Sequence, residues 1–271
     1  MQNPKMKNYE YIKVYQLNEY FDHVAEMLVE HFNKKEYDKT LFVLGMQVIM
    51  PISQIKDQNA GYRVIVYQSE QLMSGDNWHN VQMMIKHFKD ADEIWDYDPI
   101  NIAYLKERNV KVHRHLPMLS TKSLKRIENK PNPYFDVLFY GYMNERRHKI
   151  IHQLQKELYN RVKLKWVFGT HDLDLDIADS KTILNLHAFV PYNRQEQVRM
   201  FYPVINGKTV ISEKSQVNNM EGCIIETETK DLSNLILSVI NSNIWYDFGK
   251  NAASNFESKS CEIIKNFADL P

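Results

Sequence analysis

Glycine is scarce in this chain, at 8 of 271 residues, and none fall into G-x-G-x-x-G or G-x-x-x-x-G-K-[ST]. Both patterns bring backbone N–H groups close to phosphates, so their lack argues against common dinucleotide binding and against a P-loop. Cysteine is scarcer still. Cys223 and Cys261 make neither a disulfide framework nor a cysteine-based zinc site, and an unpatterned pair suits a reducing compartment. No apolar run approaches the ~18 residues a membrane span needs. The opening MQNPKMKNYEYIK has basic residues but no apolar core behind them, so no signal peptide is expected and a cytoplasmic location is. Charge of one sign is lacking too: 34 Lys and Arg balance 34 Asp and Glu. That argues against non-specific nucleic-acid binding through a basic surface, while leaving room for a local basic cleft.

An apolar share of 44% and a charged share of 25% are those of a folded globular chain, not a disordered or collagen-like one. The length fits two domains. Residues 9–17 (YEYIKVYQL) alternate as a strand does. Tyr20, Phe21, Val24, Ala25, Leu28, Val29 and Phe32 then form one apolar helical stripe. LFVLG from Leu41 and YRVIVYQ from Tyr62 read as buried strands. Val81, Met84, Ile85 and Phe88 mark a helix, and Glu93–Tyr97 a strand. Asp98 or the residue before it can cap a following helix with Pro99 at its first position, and VKVHRHL from Val110 closes the series.

Residues 117–134 hold three prolines and no periodicity, which marks a linker or a domain-edge loop. Strand–helix alternation then resumes. DVLFYG (136–141), VKLKWVFG from Val162, TILNLHA from Thr182 and TVISE from Thr209 read as strands, with helices over 150–158, 230–241 and about 245–267. Two α/β units with parallel sheets are expected, over residues 1–132 and 133–271, the terminal helix reaching back toward the first.

Three stretches carry candidate chemistry. In FYGYMNERRHK (139–149) a buried strand ends at Gly141 and a helix starts near Asn144. A helix N-terminus there offers N–H groups to an anion, Gly141 permits close approach, and Arg146 and Arg147 supply bidentate donors. Two first-turn arginines oppose the helix dipole unless an anion is bound. In DIADSKTILNLHAF (176–189), Lys181 enters a strand and His187 lies near its carboxyl end. Taken alone, each reads more simply as a snorkelling lysine and a core histidine. In RQEQVRMFYPVINGKTVISEKS (194–215), Glu196 and Arg199 share a helix face, and Pro203 ends or kinks that helix.

In order and spacing these stretches resemble the GT-B glycosyltransferases, in particular small two-domain enzymes of viruses and bacteria, with a distant likeness to phage DNA glucosyltransferases. In the first half, YQSEQL (67–72) is similar to a strand-end motif usually written YNLEQL, and IWDYDPINIAYLKERNVKV to an IWDYS..N...L segment. DVLFYGYMNERR, IADSKTILNLH and VISEKS match in the second half. The resemblance implies two Rossmann-like doubly wound domains facing across a cleft, the C-terminal one binding a nucleotide sugar such as a UDP-sugar. Gly141, Tyr142, Asn144, Arg146, Arg147, Lys181, His187, Glu196 and Arg199 are then the donor-binding candidates. It implies no cofactor and no metal, protein cations taking a metal's place. DLDLD (172–176) is accordingly expected to be a short helix's polar face and first turn. One departure stands out. Such enzymes carry a ribose-binding Glu three residues after the arginine matched by Arg199; here that position is Tyr202, and Glu196 is the substitute candidate.

An inverting enzyme needs a base facing the acceptor hydroxyl. Glu70 is the first candidate, and Asp96 and Asp98 are the alternatives; a retaining enzyme needs none of them. The acceptor is expected to be a glycan or other hydroxyl compound. DNA carrying hydroxymethylated bases is a second acceptor class, kept open by KSLKRIENK and His113-Arg114-His115. A non-catalytic sugar- or nucleotide-binding module is the competing reading from another class.

Overall fold

A computed structural model of the chain describes residues 5–17, 19–45, 51–72, 81–168, 172–188 and 193–268. Phe189, the last residue of the second stretch above, lies outside the described residues. The chain divides into two compact units after Thr121.

The first unit holds one sheet of β1 (Lys5–Asn8), β2 (Ile12–Gln16), β3 (Thr40–Leu44), β4 (Arg63–Gln68), β5 (Glu93–Asp96) and β6 (Arg114–His115). The strands lie side by side in chain order. β1 pairs antiparallel with β2, and every later pairing is parallel. Its helices are α1 (Asp22–Phe32), α2 (Ile52–Gln58), α3 (Val81–Phe88) and α4 (Pro99–Glu107). All five residues of β3 are buried, because alternate side chains serve two layers. Phe42 meets Phe32 of α1 and Trp95 at centroid distances of 5.8 and 5.3 Å. Leu41 and Val43 point the other way, into a cluster with Ile55, Met84 and Leu105 from α2, α3 and α4. A sheet covered on both faces needs continuous apolar strands, as the sequence has. Asp98 caps α4 as expected, its carboxylate accepting from Ile100 N at 2.8 Å with Pro99 at the helix start.

The second unit holds β7 (Phe135–Tyr140), β8 (Leu164–Val167), β9 (Ser180–Asn185), β10 (Thr209–Glu213) and β11 (Ile225–Thr227). All are parallel, in the order β11-β10-β9-β7-β8. The chain thus reverses direction across the sheet between β7 and β9. Its helices are α5 (Glu145–Glu157), α6 (Leu173–Ala178), α7 (Gln197–Ile205), α8 (Leu232–Asn241) and α9 (Ile244–Ala268). Val137, Phe139, Leu184 and Ile211 pack against Ile151 and Leu154 of α5 and Leu232, Ile236 and Val239 of α8. Helices α6, α7 and α9 contact β9 or β10. α9 comes close because Gly249 has no side chain: a Cβ there would sit 2.2 Å from the Gly207 carbonyl oxygen.

Four differences from the sequence reading have physical causes. Strand β1 (KMKN) is a polar edge strand with no buried residue, α2 buries only Ile52 and Ile55, and β11 is three residues long; none has an apolar period to read. Pro203 lies within α7, which continues to Ile205. The terminal helix packs mainly on α7, α8, β9 and β10 of the second unit. The units divide after Thr121, not after residue 132, because residues 122–134 are tied to the second unit. Asn206 at the end of α7 accepts from Arg126 N and Ile127 N at 3.0 and 2.9 Å, and donates to Leu124 O at 2.9 Å.

Candidate functional site

In open α/β sheets, ligands settle beyond the carboxyl ends of the strands where strand order reverses. In the second unit that place lies between β7 and β9, with the N-terminus of α5 beside it. Asn144 makes the turn: its Oδ1 caps the helix by accepting from Arg147 N at 2.9 Å, and its Nδ2 donates to Ala188 O beyond β9.

Arg147 points inward, with 3% of its side chain exposed. Nε and Nη2 donate to Leu186 O at 3.0 and 2.8 Å, Nη1 to Tyr142 O at 2.9 Å, and Nη2 to Glu196 Oε1 at 2.6 Å. Tyr142 follows β7 and Leu186 follows β9, so one guanidinium joins both lips of the crevice. Burial, with Arg199 and Arg146 nearby, lowers its pKa to about 10 against the upward pull of Glu196.

Glu196 precedes α7 and bridges two cations. Its Oε2 lies 2.5 Å from Arg199 Nη1. Burial alone would raise the carboxyl, but Arg199 and Arg147 outweigh it and hold Glu196 below the usual range. Both guanidiniums flank buried Phe139, at 5.6 and 5.9 Å from the ring centroid. Arg199 Nη1 also donates to Asn185 Oδ1 at 3.2 Å, and its Nη2 and Nε have no protein acceptor among the described residues. Those two nitrogens lie against Gly141, whose φ is +127° and whose Cβ, were there one, would sit 3.0 Å from Nη2. The glycine therefore makes room for an arginine.

Pro203 explains how Arg199 is held. Proline has no N–H to give the carbonyl four residues back, and that carbonyl belongs to Arg199. Tyr140 at the end of β7 supplies the missing donor: its hydroxyl bonds to Arg199 O. Burial raises the Tyr140 pKa well above that of a free phenol, which keeps it a donor.

Arg146 makes the second pair. Its Nη1 and Nη2 reach Glu213 Oε2 and Oε1 at 2.9 and 2.5 Å, and Nη1 donates to His187 O at 2.8 Å. Its Nε has no protein acceptor among the described residues. Glu213 ends β10 and is 2% exposed; it also accepts from His187 N at 2.7 Å and from the Thr229 hydroxyl. Burial would raise it, yet the Arg146 and Thr229 hydrogen bonds bring it below the usual range. An open hollow of about 570 Å³, lined by Asn144, Glu145, Arg146, Lys149, Ile150 and Thr229, adjoins this pair. Tyr142 is 47% exposed and meets the equally exposed Phe168 edge to face at 5.9 Å.

The structure brings Gly141, Tyr142, Asn144, Arg146, Arg147, His187, Glu196 and Arg199 together. It does not bring Lys181. That residue is second in β9, at the amino edge of the sheet, and its amine bonds to Asp136 Oδ1 at 2.7 Å. Tyr202 gives its hydroxyl to Asp174 at 2.6 Å. DLDLD forms the expected helix turn: Asp172 caps α6 by accepting from Leu175 N, and Asp176 takes the Lys165 amine. Glu213, Asn185, Tyr140 and Thr229 are not among the residues singled out from the sequence. For Glu213 a signal was there, an acid closing a strand whose five residues are all buried.

In the first unit, Asp96 Oδ1 accepts from Asp98 N at 2.8 Å and from Asn101 Nδ2 at 3.1 Å, and Asp98 caps α4. Glu70 is half-buried just past β4, its carbonyl accepting from Asn101 Nδ2 at 2.6 Å. Asn101 also receives Leu72 N at 2.8 Å, so this one amide ties the ends of β4 and β5 together. Among the described residues, no helix is long and apolar enough to cross a membrane.

No protein-family model matches the sequence, and no curated protein sequence matches it. Solved structures do. TarM matches with a TM-score of 0.59 at 12% identity, over 85% of this chain and 54% of that one, so the chain spans about half the length of TarM. HepE of Anabaena, in complex with UDP and glucose, matches with a TM-score of 0.57 at 12% identity over 92% of this chain and 83% of HepE. WaaG, a glycosyltransferase involved in lipopolysaccharide biosynthesis, matches with a TM-score of 0.53 at 12% identity over 89% of this chain and 80% of WaaG. At such identities the likeness is one of fold, and the fold is the two-sheet α/β architecture of GT-B glycosyltransferases.

Proposed function

We propose that the chain is a metal-independent glycosyltransferase that moves a sugar from a nucleoside-diphosphate sugar to a hydroxyl acceptor. The observation that carries this reading is the network of Arg146, Arg147, Arg199, Glu196 and Glu213 at the reversal of the second sheet. It leaves Arg146 Nε and the Nη2 and Nε of Arg199 without protein acceptors among the described residues, near a capped helix N-terminus. As the bond from the anomeric carbon to the diphosphate oxygen breaks, the leaving diphosphate gains negative charge. Fixed guanidinium and peptide N–H groups stabilise that charge without reorganising. Arg147 positions the others and does not touch the nucleotide. Glu70 takes the acceptor's proton as its oxygen bonds to the anomeric carbon. A second HepE structure, in complex with UDP-glucose, supports that compound as the first donor to try.

The test is release of UDP or GDP from a panel of nucleotide sugars, in EDTA, with and without simple hydroxyl acceptors. Release in EDTA is expected; release only after a divalent cation is restored overturns the metal-independent step. Tyr202, whose hydroxyl is committed to Asp174 and which stands where related enzymes hold a ribose-binding Glu, favours a second reading as a non-catalytic binding module. Nucleotide that binds but is never released from any sugar would favour that module over the enzyme.

A further inference from the structure

One buried polar atom at this site has no use in what has been described. His187 lies two residues past the end of β9 and is 4% exposed. Its backbone is held on both sides, the N–H by Glu213 and the carbonyl by Arg146. Its ring is held on one side only. Nε2 lies 3.2 Å from Lys214 O, and a carbonyl only accepts, so Nε2 carries the hydrogen. That leaves Nδ1 of the neutral ring as an acceptor, and among the described residues it is buried without a hydrogen-bond partner. A buried nitrogen in that state costs stability, and native proteins rarely keep one without a reason.

We propose that His187 Nδ1 accepts a hydrogen bond from a sugar hydroxyl of the bound nucleotide sugar, and that it selects for that hydroxyl. This rests on reading the second unit as a nucleotide-sugar site. To Nδ1 of the neutral ring the diphosphate offers nothing, because its oxygens only accept. Arg146 touches both the proposed diphosphate position and the His187 carbonyl. The groups joined directly to a diphosphate are its two sugars, ribose on one side and the transferred sugar on the other; the base is one ribose further away. Both sugars offer O–H donors. A site built around such a donor rejects the analogue lacking it, because the protein atom is again left unpaired.

The probes are UDP, 2′-deoxy-UDP, 3′-deoxy-UDP, UDP-glucose and UDP-2-deoxyglucose, titrated calorimetrically into the wild type, His187→Phe and His187→Asn. Phe keeps the ring's bulk and the bonds of the residue's own backbone but gives up the Nε2 bond to Lys214 O, and Asn returns an acceptor near the Nδ1 position. The expected result is binding at least tenfold weaker in His187→Phe, partial recovery in His187→Asn, and a modest fall in melting temperature common to both variants. If ribose is the partner, UDP itself weakens, and one deoxy-UDP binds the wild type and His187→Phe alike. If the transferred sugar is the partner, UDP is unaffected and only UDP-glucose weakens. Unchanged affinity for both in His187→Phe overturns the hydroxyl assignment and leaves the nucleotide-sugar reading standing. Should that variant fail to fold, the deoxy compounds on the wild type decide, and equal affinity across all of them overturns the assignment. A wild type that binds none of the five overturns both.

Discussion

Gly141 and Arg199 share one space: the guanidinium lies where a side chain at position 141 would begin. The backbone there has φ of +127°, a region open almost only to glycine, where other residues cost about 1–3 kcal/mol. Gly141→Ala should therefore lose stability of that order and also push Arg199 off Glu196 and Asn185. The expected outcome is a lower melting temperature together with UDP affinity reduced about tenfold or more. Wild-type affinity in a destabilised Gly141→Ala protein would remove Arg199 from the nucleotide.

Tyr140 and Pro203 lend themselves to a double-mutant cycle. Tyr140→Phe strands the Arg199 carbonyl and should cost about 1–3 kcal/mol. Pro203→Ala restores an N–H that can bond to the same oxygen within the helix. The pair together should cost less than Tyr140→Phe alone, measured by denaturant unfolding. Strict additivity would mean the hydroxyl does not stand in for the missing amide.

Acid should unfasten this unit in a defined direction. Glu196 and Glu213 both titrate below the ordinary glutamate value of 4.5 when folded. A lowered folded pKa means that fewer protons are bound in the folded state. The stabilisation is therefore complete above 4.5 and is lost as pH falls through the folded values. Stability should decline as pH falls below about 4.5, and the decline should be shallower in Glu196→Gln and Glu213→Gln once their lower starting stability is subtracted. Equal slopes would mean that neither carboxylate is held by its arginines.

Lys181 offers a contrast within one strand. Lys181→Ala breaks a partly exposed pair with Asp136 and should cost about 1 kcal/mol. UDP affinity should stay within twofold by calorimetry. A tenfold loss would carry the nucleotide to the amino edge of the sheet.

Glu70→Gln should leave donor affinity intact and reduce transfer by about 100-fold or more, the share expected of a general base. Asp98→Ala should instead lower stability by about 1 kcal/mol through the lost helix cap. Unchanged turnover in Glu70→Gln would dismiss it as the base.

The central strands of both sheets were legible because burial on two faces demands unbroken apolar runs such as DVLFYG and TILNLHA, whereas the edge strands β1 and β11 have none. The Asp98-Pro99 cap was legible because its bond spans two residues. Arg146 and Arg147 were found as a pair, but not their division of labour: which of two adjacent helical residues turns inward depends on carbonyls at 142 and 186, far apart in the chain. Glu213 was missed because its partners come from α5, from beyond β9 and from residue 229. Lys181 was a matter of polarity. In a parallel sheet a residue that opens a strand lies at the edge away from the ligand end, and that much could have been read from its position.

Asn206 grips residues 124–129 through its own side chain and carbonyl, Asn129 Nδ2 completing the clasp at 2.7 Å. The proline-rich stretch that looks like loose cord between two lobes is thus sewn to one of them. Anyone excising the C-terminal lobe for crystallisation or labelling should cut before Lys122. Cutting at residue 133 would tear out that seam and strip Asn206 of its bonds to residues 124–129.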